Sequence, residues 1–240
     1  MVYYKSDDGR RLEQTDFGFG DYDISYVQCS HGDVIRGFYD GKRLSVLLAD
    51  TLGHDKEIGD GFATFLDARR KDGWGVGSDP EAELSELSAS LERDDATYLP
   101  TSKWHPVGSL LSIEGGSNLE NIAFAGTERP LHVMKHGHVY IPELYGNLEF
   151  YDSVPHSPSY DPGMRPGDVL VLMTDGLRDN MEAHGHGDAY DTIIDFLEDN
   201  RHNDADFIAS RMTDPGGFGY MVLPWDEKDD DISLIVVKKK

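Results

Sequence analysis

The chain has 240 residues and a formal net charge of −23, with 45 aspartate and glutamate residues against 22 lysine and arginine residues. This length suits one large domain or two small ones, and it allows a sizeable core. The negative charge repels nucleic acid and anionic membrane surfaces, so neither is an expected partner. Apolar runs such as residues 169–173 are far shorter than the roughly 20 residues that span a bilayer. Because we also expect no signal peptide, the chain is predicted to be cytoplasmic.

The acidic excess has two explanations that the composition leaves open. Carboxylates are preferred ligands of hard divalent cations, so some of these residues can form a metal site. The same excess also serves solubility or adaptation to salt. The single cysteine, Cys29, excludes a disulfide within the chain.

The first half of the chain predicts strands followed by two helices. Residues 1–20 are polar and are predicted to form an extended lead-in. The predicted strands are 24–27, 33–39 and 44–49. Asp40-Gly41 predicts a hairpin turn, and the continuous apolar run that follows it predicts a strand buried on both faces. Apolar residues at helical spacing predict helices at 57–70 and 80–94, separated by a glycine-rich bend.

The second half predicts further strands and two more helices. The predicted strands are 108–113, 119–125, 131–135, 138–141, 168–174 and 232–237. Helices are predicted at 190–199 and 205–212, a long irregular loop at 142–167, and a solvated end at Lys238-Lys239-Lys240. Strands and helices come in blocks and do not alternate one by one. This order predicts the α+β class with mostly antiparallel sheets.

Several aspartates stand at the ends of predicted buried strands. Asp50 ends one apolar run, Asp175 ends another, Asp33 begins a strand, and Asp229-Asp230-Asp231 directly precedes the last strand. An acid at the end of a buried strand is costly unless it is paired or bound to a metal. Each of these acids taken alone also fits a turn former or a helix cap. Taken as a set, they predict a common site.

These acids belong to segments that follow one another in a fixed order, with Asp33 and Asp50 spaced 17 residues apart. The segments are Gly32-Asp33, Ala49-Asp50-Thr51-Leu52-Gly53-His54, Phe124-Ala125-Gly126, Arg165-Pro166-Gly167-Asp168 leading into Thr174-Asp175-Gly176-Leu177, and Asp230-Asp231-Ile232-Ser233. In this order and spacing they resemble the metal-dependent protein phosphatase (PPM) family, in its bacterial SpoIIE/RsbU/RsbX-like branch. Each segment alone is a weak signal, but together they cover most of the chain.

The resemblance implies a centre of two metal ions. Asp50 would bridge both ions, and the Thr51 carbonyl would bind one of them. Asp175 and Asp230 would complete one ion, and Asp33 would act in the outer or water-bridged sphere. Ligands of this kind, all oxygen, suit Mg²⁺ or Mn²⁺ and do not suit Zn²⁺.

The resemblance also implies a third, weaker ion held by Asp179. A further ligand of that ion falls nearest to His105 here, which is a departure from the pattern, as is Asp55 where the family has glycine. His54 would either act as a general acid toward the leaving group or support the metal-bound water from outside the coordination sphere. Both roles stay open from the sequence.

The implied fold is a single PPM-type domain over residues 1–240, with two mostly antiparallel sheets in a central sandwich flanked by helices. The implied activity is that of a phosphoserine/phosphothreonine protein phosphatase using Mn²⁺ or Mg²⁺ and a metal-activated water. The implied partner is a small phosphorylated signalling regulator, such as an anti-sigma-factor antagonist in a stress response. In that branch the helical pair at 57–95 can act as a regulatory switch.

Two other functions remain open from the sequence. The chain could be a phosphatase-like binding module without turnover, although the retained Asp50, Asp175 and Asp230 argue against it. It could also hydrolyse small phosphoesters. A zinc site is less favoured, because the closely spaced His132, His136 and His138 have no cysteine or glutamate partner at a useful spacing.

Overall fold

The structure is a computed structural model of the chain. It describes residues 2–5, 11–29, 32–50, 56–75, 79–98, 107–114, 118–125, 131–134, 137, 139–140, 163–183, 189–213 and 231–240. The chain divides into two compact units. Unit 1 comprises Met1–Ser30, Pro130–Pro142 and Met164–Lys240, and unit 2 comprises His31–Arg129 and Glu143–Gly163. Each unit has its own sheet and its own helices.

The strands and helices follow the predicted order closely. The strands are β1 (Val2–Lys5), β2 (Arg11–Phe19), β3 (Tyr22–Cys29), β4 (Val34–Tyr39), β5 (Arg43–Asp50), β6 (Val107–Glu114), β7 (Asn118–Ala125), β8 (Leu131–Val133), β9 (Val139–Tyr140), β10 (Val169–Met173) and β11 (Leu234–Lys239). The helices are α1 (Lys56–Lys71), α2 (Pro80–Tyr98), α3 (Gly176–Ala183), α4 (Ala189–Asn200) and α5 (Ala205–Thr213).

Unit 1 is built on a seven-stranded sheet in the order β1-β2-β3-β11-β10-β8-β9. Helix α5 packs against β3 and β11, and α4 packs against α3 and β8. One core forms between sheet and helices, and its buried members include Val27, Val169, Val171, Leu234 and Val236 from the strands and Ile193, Leu197, Ile208 and Met212 from the helices. The alternation along β10 and β11 therefore directs one set of side chains toward these helices.

Unit 2 is built on a four-stranded sheet in the order β4-β5-β6-β7. Helix α1 packs against β4, and α2 packs against β6 and β7. The core between them takes Val34, Phe38, Leu47, Ala49 and Leu110 from the strands and Phe62, Phe65, Leu66, Leu84, Leu87 and Leu91 from the helices. The alternate residues of β5, such as Val46 and Leu48, are buried as well. This confirms the prediction that β5 is covered on both faces.

The β4–β5 hairpin turns at the predicted dipeptide. Gly41 has a φ of 98°, which favours glycine. The Oδ1 atom of Asp40 accepts hydrogen bonds from the backbone N–H groups of Lys42 at 2.7 Å and Arg43 at 2.6 Å. These bonds lower the pKa of the Asp40 carboxyl from its usual value, and the bond from the Arg43 amide has the largest effect. The turn thereby fixes the register in which Val34 pairs with Ala49.

All strand pairs among the described residues are antiparallel. Two antiparallel sheets with helices confirm the predicted α+β class. None of the helices in the described part of the chain has both the length and the apolar character needed to cross a membrane. Most of the predicted loop at 142–167 lies outside the described residues.

Three local expectations differ from the structure. Residues 1–20 do not simply lead into the fold, because β1 and β2 are strands of the seven-stranded sheet, with β2 paired to β3 along almost its whole length. The sequence does not predict helix α3, since its eight residues are too few for a clear periodic pattern. The terminal lysines are only partly a solvated end, because Lys238 and Lys239 are half-buried residues of β11, whereas Lys240 is exposed. Lys238 Nζ donates to the carbonyl oxygens of His202 and Asn203, and Lys240 Nζ lies 2.9 Å from Asp23 Oδ1.

Candidate metal centre

Two of the predicted acids lie on adjacent strand ends in unit 2. Val34 pairs with Ala49, so Asp33 and Asp50 stand one residue beyond this pair, at the same end of the sheet. Both residues are buried, with exposed fractions of 3% for Asp33 and 8% for Asp50. Antiparallel pairing of β4 and β5 therefore brings together two acids that are 17 residues apart in the chain.

Strand β6, the third strand of this sheet, packs closely against the end of β5. Gly108 of β6 pairs with Ala49, and Val107 pairs with Asp50. A Cβ atom at position 108 would lie 2.3 Å from the Leu48 carbonyl oxygen and 2.9 Å from the Ala49 Cα. Only glycine fits this approach, so β6 supports the backbone directly beside Asp50.

In unit 1 the predicted acids lie where β10 meets α3 and where the chain enters β11. Asp175 follows β10 and precedes the first residue of α3, and its carbonyl oxygen accepts the Asp179 amide at 2.9 Å. Leu177 and Met181 are fully buried in the core of unit 1 and hold α3 in place. Asp231, three residues before β11, is 1% exposed. The structure thus places Asp175 at the start of a helix, where the helix dipole favours negative charge.

Thr174 joins these two segments. Its amide donates to the Ser233 carbonyl oxygen at 2.9 Å, and its Oγ1 accepts the Ser233 amide at 3.0 Å. The Oγ1 atom also lies 3.3 Å from the carbonyl oxygens of both Asp231 and Ser233, within donating distance. These bonds extend the β10–β11 ladder beyond its last pair, Met173 with Leu234. The end of β10 is thereby tied to the residues that follow Asp230.

Asp179 is more exposed than Asp33 and Asp50. Its side chain is 46% exposed, and its Oδ1 lies 2.6 Å from Nη2 and 2.8 Å from Nε of Arg178. The resemblance implies a third, weaker ion at this residue. The guanidinium of Arg178 competes for the same oxygen.

The remaining predicted site residues lie outside the described residues. These are Thr51, His54 and Asp230, together with Asp55 and His105, where the sequence departs from the family pattern. Their roles stay predictions. Among the described residues alone, no group of three or more histidine, cysteine, aspartate or glutamate side chains is placed to hold a metal ion.

The described acids nevertheless fit a hard divalent cation chemically. The Oδ1 atoms of Asp33 and Asp175 are buried and accept no hydrogen bond from the described residues, although both residues take part in other polar interactions. Buried carboxylate oxygens are costly unless a cation or a donor neutralises them. All the described donors are oxygen atoms, the set that Mg²⁺ and Mn²⁺ prefer.

The fold is that of PP2C-type phosphatase domains, as the comparison with solved structures shows. RsbX in complex with magnesium is 16% identical, with a TM-score of 0.64 over 95% of this chain and 100% of that chain. The PP2C domain and regulatory fragment of SpoIIE from Bacillus subtilis is 14% identical, with a TM-score of 0.64 over 99% of this chain and 64% of that chain.

A third solved structure contains the RsbU and RsbW domains of a Mycobacterium tuberculosis protein. It is 18% identical, with a TM-score of 0.61 over 93% of this chain and 61% of that chain. The chain thus spans less than two thirds of the Mycobacterium and SpoIIE chains, and all of RsbX. The chain matches no protein-family model and no curated protein sequence. These likenesses confirm the predicted resemblance to the SpoIIE/RsbU-like branch at the level of the fold.

Two residues that shape the candidate centre are not among the predicted site residues. Thr174 ends a predicted apolar strand directly before an Asp-Gly pair, and this position is the feature of the sequence that could have indicated its role. Gly108 precedes a serine in a predicted strand, where an isolated glycine indicates a close backbone approach. Neither signal identifies the partner across the sheet.

Proposed function

We propose that the chain is a metal-dependent phosphoserine/phosphothreonine protein phosphatase. The observation that carries the proposal is the placement of the acids. In a chain with a PP2C-type fold, Asp33 and Asp50 lie at adjacent strand ends of unit 2, and Asp175 lies two residues after β10 of unit 1. These are the positions at which the sequence carries the family's ligands. RsbX, which has the same fold, was solved with magnesium.

The proposed ligands are Asp50, the Thr51 carbonyl, Asp175 and Asp230, with Asp33 in the outer sphere. Bound Mg²⁺ or Mn²⁺ ions would lower the pKa of a coordinated water and neutralise the phosphate oxygens. The protein contributes rigid placement. Strand β5, which ends at Asp50, pairs with β4 on one side and with β6 on the other, and Asp175 is held by the Thr174 bonds and by the buried face of α3.

No covalent nucleophile is required of this chain. His54, in the segment after Asp50, is proposed either to protonate the leaving oxygen or to orient the attacking water. Asp179 is proposed to bind a further, weaker ion in competition with Arg178. With a net charge of −23, the chain repels other anions. We therefore expect a phosphorylated partner to bind mainly where cations neutralise the surface.

The proposed substrate is a small phosphorylated regulator, such as an anti-sigma-factor antagonist. Its support is the set of proteins that share the fold. RsbX, the RsbU–RsbW pair and SpoIIE are among them, and another structure with this fold comes from work on the bacterial stressosome.

The test is phosphate release from a phosphoserine peptide in the presence of Mn²⁺. We expect the wild type to release phosphate and Asp50→Asn to be at least roughly 100-fold less active. Loss of a residue that merely supports a metal ligand can already lower activity by that factor. Asp168→Asn is the matched control. Asp168 is also buried, but its Oδ2 accepts the Arg165 amide at 2.8 Å in a turn, a bond that asparagine can keep. This control should retain near wild-type release.

Other outcomes would replace the proposal. Release from small phosphoesters but from no phosphopeptide would indicate a small-molecule hydrolase. No release from either substrate class, by wild type and variants alike, would indicate a phosphatase-like binding module.

A further inference from the structure

Thr174 connects two segments that both carry proposed metal ligands. Asp175 follows it in the chain, and Asp230 precedes Asp231, whose carbonyl oxygen lies 3.3 Å from Thr174 Oγ1. Thr174 is 4% exposed, so water does not compete freely for these bonds. The hydroxyl spans 57 positions of sequence in a single contact.

The hydroxyl is used as both donor and acceptor. It accepts the Ser233 amide at 3.0 Å and has the Asp231 and Ser233 carbonyl oxygens in donating range at 3.3 Å. A hydroxyl has one proton and two lone pairs, so one side chain can satisfy both a buried N–H and a buried carbonyl. No apolar residue of the same shape can do this, and valine in this place would leave the Ser233 amide without its acceptor.

The strand pairing of β10 with β11 ends before Asp175 and before Asp231. Its last pair is Met173 with Leu234, and among the described residues the bond from the Thr174 amide to the Ser233 carbonyl oxygen extends it further along the main chain. Asp231 lies two residues beyond Ser233. Among the described residues, the Thr174 side chain contacts the Asp231 carbonyl oxygen and so extends the contact between the two segments as far as Asp231.

We propose that Thr174 is a positioning residue that holds the end of β10, directly before Asp175, against Asp231, the chain neighbour of the proposed ligand Asp230. This inference rests on the proposed function, since it concerns how two metal ligands of unit 1 are held together. Residues that orient metal ligands typically change metal affinity by about 10- to 100-fold when they are altered. Thr174 therefore acts on metal binding without touching the metal.

The structure offers a matched control in the same unit. Thr213 is also 4% exposed, and its Oγ1 donates to the Ala209 carbonyl oxygen at 3.0 Å within α5. Thr213→Val removes a buried threonine hydroxyl of the same kind from a helix with no proposed ligand. Thr174→Ser keeps the hydroxyl at the proposed position.

The experiment measures Mn²⁺ binding to the full chain by titration calorimetry. It adds hydrogen exchange of the Ser233 amide in the metal-free protein. For Thr174→Val we expect a dissociation constant raised about 10- to 100-fold and faster exchange at Ser233. Thr213→Val should lower the melting temperature but leave both readouts at the wild-type level. Thr174→Ser should bind Mn²⁺ nearly as the wild type does.

The possible failures are distinguishable. If the wild type binds Mn²⁺ and Thr174→Val binds it as tightly as Thr213→Val, the positioning role is refuted and the proposed function stands. Equal losses in Thr174→Ser and Thr174→Val would also refute it, because the hydroxyl would then not be the cause. If the wild type binds no divalent ion, the proposed function fails, and the metal role of Thr174 fails with it.

Discussion

Gly108→Ala offers the sharpest test of how the sheet of unit 2 supports Asp50. The new methyl group would stand 2.3 Å from the Leu48 carbonyl oxygen, about 1 Å short of an ordinary contact, which begins near 3.4 Å. It would also lie 2.9 Å from the Ala49 Cα. Both neighbours are main-chain atoms of β5, so the clash cannot be relieved by turning a side chain. The strand itself must move.

The cost follows from this displacement. Overpacking a tight site costs about 1–3 kcal/mol of unfolding free energy. For a chain of this size that corresponds to a fall in melting temperature of roughly 2–12 °C. Asp50 comes directly after Ala49, so a shift of β5 also moves its carboxylate. We therefore expect weaker Mn²⁺ binding in addition to the lower melting temperature.

The assay is thermal unfolding followed by calorimetry, with and without Mn²⁺. Gly37→Ala is the control, because Gly37 lies in the neighbouring strand β4 and has no atom within 4 Å of an added Cβ. It should change stability by about 0.5 kcal/mol or less. Equal melting temperatures for the two variants would refute the close approach of β6 to β5. A destabilised Gly108→Ala that binds Mn²⁺ normally would refute the link to Asp50.

Two further predictions concern unit 2. Gly75→Ala should destabilise the chain more than Gly73→Ala in urea unfolding. Both glycines have positive φ, 88° at Gly75 and 92° at Gly73, but an added Cβ would contact the buried Phe38 ring, at 2.7 Å, only at position 75. Equal losses of stability in the two variants would show that the Phe38 ring moves aside to accommodate the methyl group. Asp40→Asn should lower stability above pH 3.8, the usual pKa of this carboxyl, because the backbone N–H groups of Arg43 and Lys42 lower its pKa in the folded chain. That contribution is lost as the pH falls below this value, so the urea midpoints of wild type and variant should converge on acidification, and a difference independent of pH would contradict the assignment.

The structure divides the large acidic excess into acids with different roles. A few acids stand at strand ends, where burial of Asp33 and Asp50 requires a chemical reason. Others are used structurally, as Asp40 is in its turn and Asp23 in its pair with Lys240. The remainder is consistent with solubility.

Local patterns predict most of the elements correctly. Alternating and continuous apolar runs predict β4, β5, β10 and β11, because burial on one or both faces of a strand leaves its mark within a few residues. Helical spacing predicts α1, α2, α4 and α5 to within a few residues at their ends. The same patterns place Asp33, Asp50 and Asp175 at strand ends, where the structure also has them.

The sequence by itself determined the class of fold and the residue types of the candidate centre, because both depend on short-range periodicity and on motif chemistry. It did not determine how the strands pair. That β1 and β2 join the sheet of unit 1, that Gly108 must lack a side chain, and that the Thr174 hydroxyl holds Asp231 all depend on contacts between residues far apart in the chain. Only the tertiary structure decides these, since each requires a partner that no local pattern specifies.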